Sequence, residues 1–186
     1  MDQPDRFAGG DVAYLRDVQY RDSTKLAARA HLHAAYGRGD WFPWWATQVP
    51  WPDGAEVLEV GCGAGWVWAE AMAEIPSGLH LTLTDLSPGM LDEALARVTA
   101  TGHYASVIGR VADAQDVPFD DDSFDVVVSN HMLYHLPDPA RGVAELARVV
   151  RDDGIVAVAT NGTVHLRSCG RSRTTSSRPR RAATTT

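Results

Sequence analysis

The stretch Val57-Leu58-Glu59-Val60-Gly61-Cys62-Gly63-Ala64-Gly65 constrains this chain more than any other. A short apolar run suited to a buried strand leads into three glycines within five positions, and residues 64–75 then read as a helix ended by Pro76-Ser77-Gly78. Glycines at 61, 63 and 65 allow dihedrals that a side chain forbids and let a ligand approach the main chain, which makes the turn a cofactor cradle. The spacing departs from Gly-x-Gly-x-x-Gly, the pattern that sets a pyrophosphate against a helix N-terminus: the third glycine comes one residue early, and Glu59 precedes the first. A carboxylate there repels phosphate and suits a ligand with a cationic end, such as an α-amino group or a sulfonium.

Around this turn, strands and helices alternate. Residues 57–60, 79–84, 107–112, 124–129 and 155–160 read as strands. Ser87-Pro88 supplies an N-cap and a first-turn proline for a helix to about residue 98, and Asp138-Pro139 does the same for one to about residue 150, before Gly154. Parallel neighbours need right-handed crossovers, so the alternation predicts an α/β fold: a doubly wound, mostly parallel, Rossmann-like sheet with five recognisable strands, helices on both faces and an N-terminal helical cap. The expected division is a cap and Trp-rich segment at 1–54, a ligand-binding domain at 55–162 and a tail at 163–186. Within the cap, residues 11–36 carry apolar positions at helical spacing after a polar leader at 1–10. Four of the six Trp then fall between Trp41 and Trp51. That cluster reads either as a plug over one end of the sheet or as an aromatic lid facing a cationic ligand.

At 186 residues the chain holds one domain. Its net charge is −7, although residues 163–186 carry six Arg and no acid, so the body is still more acidic. Nucleic acid is a disfavoured partner for such a body, because that binding relies on cationic side chains releasing counterions. Cys62 and Cys169 are too few and too far apart for a disulfide scaffold, and the N-terminus lacks the pattern of a signal peptide. No stretch is long and apolar enough to span a membrane. These features predict a cytoplasmic protein.

Asp85 lies twenty residues after Gly65, at the end of the second strand, where a carboxylate can accept both hydroxyls of a ribose. It could instead cap the next helix, but Ser87 fills that position. Asp113, after the third strand, can accept from an exocyclic amine or simply form a turn. His131 and His135 follow the fourth strand, where ligands bind in open α/β sheets. Each is either a structural hydrogen-bonding group or a base for an acceptor that must lose a proton. No third ligand accompanies them, so no metal is expected.

Glu59-Val60-Gly61-Cys62-Gly63-Ala64-Gly65, Asp85-Leu86-Ser87-Pro88-Gly89-Met90-Leu91, Ala112-Asp113-Ala114-Gln115-Asp116-Val117-Pro118-Phe119 and Phe124-Asp125-Val126-Val127-Val128-Ser129-Asn130 together resemble the class I S-adenosylmethionine-dependent methyltransferases over about residues 55–162. The resemblance implies that Glu59, Gly61, Gly63 and Gly65, with Cys62 beside them, hold the methionine end of S-adenosyl-L-methionine. It implies Asp85 and the neighbouring Leu86 at the ribose, Met90 and Ala114 at the adenine faces, Asp113 at the adenine amine and Asn130 beside the methyl group. Tyr20, Lys25 and Arg29 could reach the cofactor carboxylate from the cap. The expected reaction is methyl transfer to a small-molecule acceptor.

The chain departs from the family after the fifth strand, where the resemblance implies two more strands. Residues 163–186 are rich in Ser, Thr, Arg and Ala, have no periodicity and are expected to be disordered. Residues 167–171 can be spelled so that one added nucleotide restores Arg-Glu-Leu-Trp-Ala, so a truncating frameshift near Arg167 is expected. An unpaired apolar fifth strand predicts self-association. The competing expectation is a catalytically inactive cofactor-binding remnant or a partner-binding module.

Overall fold

The computed structural model describes residues 11–27 and 41–160. The leader at 1–10, residues 28–36 of the stretch expected to be helical, with Arg29, and the tail at 163–186 with Cys169 lie outside the described residues. Five strands, β1 (Glu56–Val60), β2 (His80–Asp85), β3 (Ser106–Val111), β4 (Phe124–Asn130) and β5 (Val150–Ala159), form one sheet in the order β3-β2-β1-β4-β5. Every pairing is parallel. The described residues include the helices α1 (Val12–Tyr14), α2 (Trp41–Ala46), α3 (Trp66–Glu70), α4 (Pro88–Ala100) and α5 (Pro139–Val149).

Local chemistry sets these boundaries. The Ser87 hydroxyl accepts from the Met90 N–H at 3.3 Å with Pro88 at the first helical position, and the Asp138 carboxylate accepts from the Arg141 N–H at 3.1 Å ahead of Pro139. Alternation along the strands sorts the core into two layers. Val57, Leu81, Leu83, Val126 and Val128 pack with Trp45 of α2, Trp68 of α3 and Leu91, Ala94 and Val98 of α4. Leu58, Val60 and Val127 face the other way, onto Leu146 and Val149 of α5. Helices therefore cover both faces.

Three expectations need correction. The helix at 64–75 is shorter: α3 starts only after Gly65, whose φ of +71° ends the turn, and stops at Glu70. A 3₁₀ turn, Met72–Glu74, follows, and Ile75 is extended, as the residue before a proline prefers. The strand expected at 155–160 begins earlier: α5 ends at Val149, as expected near residue 150, and β5 follows at once from Val150, running through the Gly154 expected to end the helix. A register shift between Phe124 and Val126 absorbs the additional residues. Helix α1 is a single turn running into a π-helical turn, Leu15–Gln19, and only Leu15 and Gln19 there are buried.

Strand β1 is central, with β2 on one side and β4 on the other, so the chain reverses its direction of winding between them. Ligands bind at such a switch point, beyond the C-terminal strand ends.

Candidate active site at the sheet switch point

The glycine turn leaves β1 and is tied to the end of β2. The Gly61 and Cys62 N–H groups both donate to the Thr84 carbonyl, at 2.9 and 2.8 Å, and the Gly65 N–H donates to the Cys62 carbonyl at 3.1 Å. The Gly63 N–H donates to the Asp85 carboxylate at 2.9 Å. These four amides are thus committed to protein acceptors, whereas a diphosphate cradle presents its amides to the ligand. Gly61 has φ of +77°, and a Cβ built there would lie 2.5 Å from Cγ of Met132. Only a residue without a side chain fits between that methionine and the crevice.

Two carboxylates flank the turn. Asp85 accepts from Gly63 through one oxygen and from the Ser87 N–H at 2.8 Å through the other. Burial raises its pKa, and these backbone hydrogen bonds oppose the rise. Glu59 is 2 % exposed and accepts from the Trp68 indole at 2.5 Å and from the Asn130 amide at 3.3 Å. Burial pushes its carboxyl up to about 7 against those two hydrogen bonds, and the charge of Asp85 adds to the rise. Burial pushes the Cys62 thiol well above its ordinary range, and the charges of Asp85 and Glu59 add to the rise.

A methyltransferase-domain family model matches residues 58–158, more than half of the chain. The chain belongs to the methyltransferase domain family. A malonyl-(acyl-carrier protein) O-methyltransferase of Hahella chejuensis is 36% identical over 107 residues, covering 56% of this chain and 36% of that protein. A demethylmenaquinone methyltransferase of Clavibacter sepedonicus is 34% identical over 110 residues, covering 59% of this chain and 42% of that protein. The chain thus spans less than half the length of these two relatives. Among solved structures, an S-adenosylmethionine dependent methyltransferase from Mesorhizobium loti is 28% identical with a TM-score of 0.50, covering 65% of this chain and 52% of that one.

The cofactor of this methyltransferase domain is S-adenosylmethionine. Its crevice is consistent with that molecule on chemical grounds: a glycine turn that a Cβ would fill, a buried carboxylate beside it, and an Asn130 Oδ1 that is buried without a hydrogen-bond partner among the described residues. Glu59, the glycines, Cys62, Asp85 and Asn130 come together here. Leu86 is half-buried next to Asp85. The Asp113 carboxylate accepts from the Gln115 N–H at 2.8 Å, closing a local turn, while Ala114 is 7 % exposed and Met90 1 %, so both contribute to packing.

The two histidines have different surroundings. His131 has φ of +55°, unusual for a side-chain-bearing residue, and its N–H donates to the Ala159 carbonyl at 2.7 Å. Its ring lies 5.1 Å from that of Trp41. His135 ends a 3₁₀ turn, Leu133–His135, and its Nε2 lies 2.9 Å from the Tyr20 hydroxyl. Tyr20 therefore meets His135, and the Lys25 ammonium donates to the Val18 carbonyl at 3.0 Å. Residues 20–26 cross the crevice: the Arg21 carbonyl abuts Gly89, the Ser23 N–H donates to Glu93 at 3.2 Å, and the Leu26 side chain is near Gly63. Among the described residues, no group of three His, Cys, Asp or Glu could hold a metal.

Sequence reasoning did not single out Trp68, Met132 or Gly89. Only Trp68 had a signal that could have been used: a buried acid at the end of a strand requires a donor, and an indole N–H in the next helix can supply one.

Proposed function

We propose that this chain transfers a methyl group from S-adenosylmethionine to a small-molecule acceptor. The observation that carries the reading is the joining of Asp85 to the glycine turn through Gly63, with Glu59 and Asn130 at the ends of β1 and β4. The cofactor brings a methyl already activated by a sulfonium, so the chain has to orient the acceptor and exclude water rather than supply covalent chemistry. An acceptor that must lose a proton needs a base. The Tyr20 contact favours His135 over His131 in that role, because it fixes one ring nitrogen. The acidic body supports an acceptor other than nucleic acid, and the relatives named for a malonyl carrier protein and a demethylmenaquinone support a metabolic one. Titration calorimetry should detect S-adenosylmethionine binding and no NAD binding, and the reverse would refute the reading. Label from methyl-tritiated cofactor should then appear in small molecules of a metabolite extract.

A second reading, a partner-binding or inactive remnant, is favoured by β5. Val156 and Val158 of this strand are each 43% exposed. Self-association through this strand follows from the proposal, and sedimentation over a concentration series tests it.

A further inference from the structure

Among the described residues, the switch point gathers hydrogen-bond acceptors without a compensating positive charge beside them. Glu59 is buried with two neutral donors, Trp68 and Asn130. The titratable groups facing it are Asp85 at the end of β2, Cys62 in the turn and Tyr104 ahead of β3, all neutral or anionic. The nearby Arg97 guanidinium is engaged by the Ala64 carbonyl. Beside Glu59, the Asn130 Oδ1 is buried without a partner among the described residues. A carboxylate and an amide oxygen at the ends of adjacent strands β1 and β4 match a ligand group with several N–H donors and a positive charge. An ionised carboxylate without such a partner is held at a high energetic cost, so it takes up a proton instead.

We infer that Glu59 is a proton-linked anchor: it is protonated before the donor binds and releases that proton to solvent when the donor's α-ammonium group takes its place beside the Asn130 oxygen. This rests on the cofactor reading above and adds to it a stoichiometry. The balance is simple. The Glu59 O–H bond breaks, the proton goes to buffer, and the resulting carboxylate faces the ammonium without any covalent change in the ligand. Because linkage is reciprocal, donor affinity must rise with pH below neutrality, by up to about tenfold per unit, and level off above it.

Calorimetry on the 186-residue chain tests this with S-adenosylmethionine and S-adenosylhomocysteine, which share the ammonium, in phosphate and imidazole buffers of different ionisation heat. With the Glu59 carboxyl at about 7, the expected release is about nine-tenths of a proton at pH 6 and about half at pH 7, for both ligands. Glu59→Gln should remove the buffer dependence, and Tyr104→Phe should retain it. Trp68→Phe, which deletes a donor to the ionised carboxylate, should shift half-release to higher pH, a change that a purely structural role would not produce. Binding with no proton release, release with S-adenosylmethionine alone, or full release in Glu59→Gln would each overturn the inference while leaving cofactor binding intact. Absence of binding by either ligand to the folded chain would overturn the cofactor reading itself.

Discussion

The centre of the sheet and its β5 margin end in opposite ways. At the centre, β1, β2 and β4 bring polar atoms into the interior: Glu59, Thr84 and Ser129 are buried, and the Thr84 hydroxyl donates to the Glu59 carbonyl at 2.9 Å. At the margin, β5 leaves apolar Val156 and Val158 half-exposed. The other edge, β3, also exposes Ile108, but Gly109 and Arg110 interrupt its apolar run. The outer half of β5 carries no charge and no proline. Charged side chains on an edge oppose pairing with a second molecule, and a plain apolar edge favours it. The centre is therefore specialised for a small polar ligand and the β5 margin for a surface.

The largest expected effect lies at the centre. Gly61→Ala adds a side chain at positive φ and against Met132, and should destabilise the fold by about 3 kcal/mol while weakening donor binding at least about tenfold. Chemical denaturation with parallel calorimetry measures both, and an unchanged affinity would remove the turn from the site.

Glu59→Gln comes next. A carboxyl raised in the folded state contributes stability that is present below its unfolded pKa and is lost as pH rises through about 7. From pH 5 to pH 8 the variant should gain on the parent by about 2 kcal/mol in urea midpoints. A constant difference across that range would mean that Glu59 is ionised throughout.

Tyr20→Phe keeps the ring contact with His135 and removes the 2.9 Å hydrogen bond. A loss of about 1 kcal/mol is expected, with faster hydrogen exchange in residues 20–26. Unchanged exchange would separate the crossing segment from that bond. Val158→Lys should change monomer stability least, by less than about 0.5 kcal/mol, because the side chain is already half-exposed. It should nevertheless reduce concentration-dependent sedimentation. If parent and variant sediment alike, the margin has no role in self-association.

Much of this contrast is legible in the chain. Period-two alternation, the Ser87-Pro88 and Asp138-Pro139 caps and the glycine turn follow local rules, because strand pleat, capping and left-handed backbone each depend on a few adjacent residues. The helix after Gly65 was less legible, since a continuous apolar stretch does not reveal where α-helix tightens into a 3₁₀ turn. The start of β5 was hidden for a related reason. Asp152-Asp153-Gly154 has turn chemistry, and only the shifted register against β4 draws it into the strand.

The sequence by itself determined the α/β alternation, the parallel sheet and the glycine turn between an acid and a helix, since each is encoded within a window of about ten residues. Tertiary structure alone decided that Trp68 and Asn130, nine and 71 positions from Glu59, become its partners, and that Tyr20 reaches His135 across 115 positions. The reason is physical: burial and charge depend on what the rest of the chain brings alongside, so a carboxyl that reads in sequence as an ordinary anion becomes a proton-holding group only when the sheet closes around it.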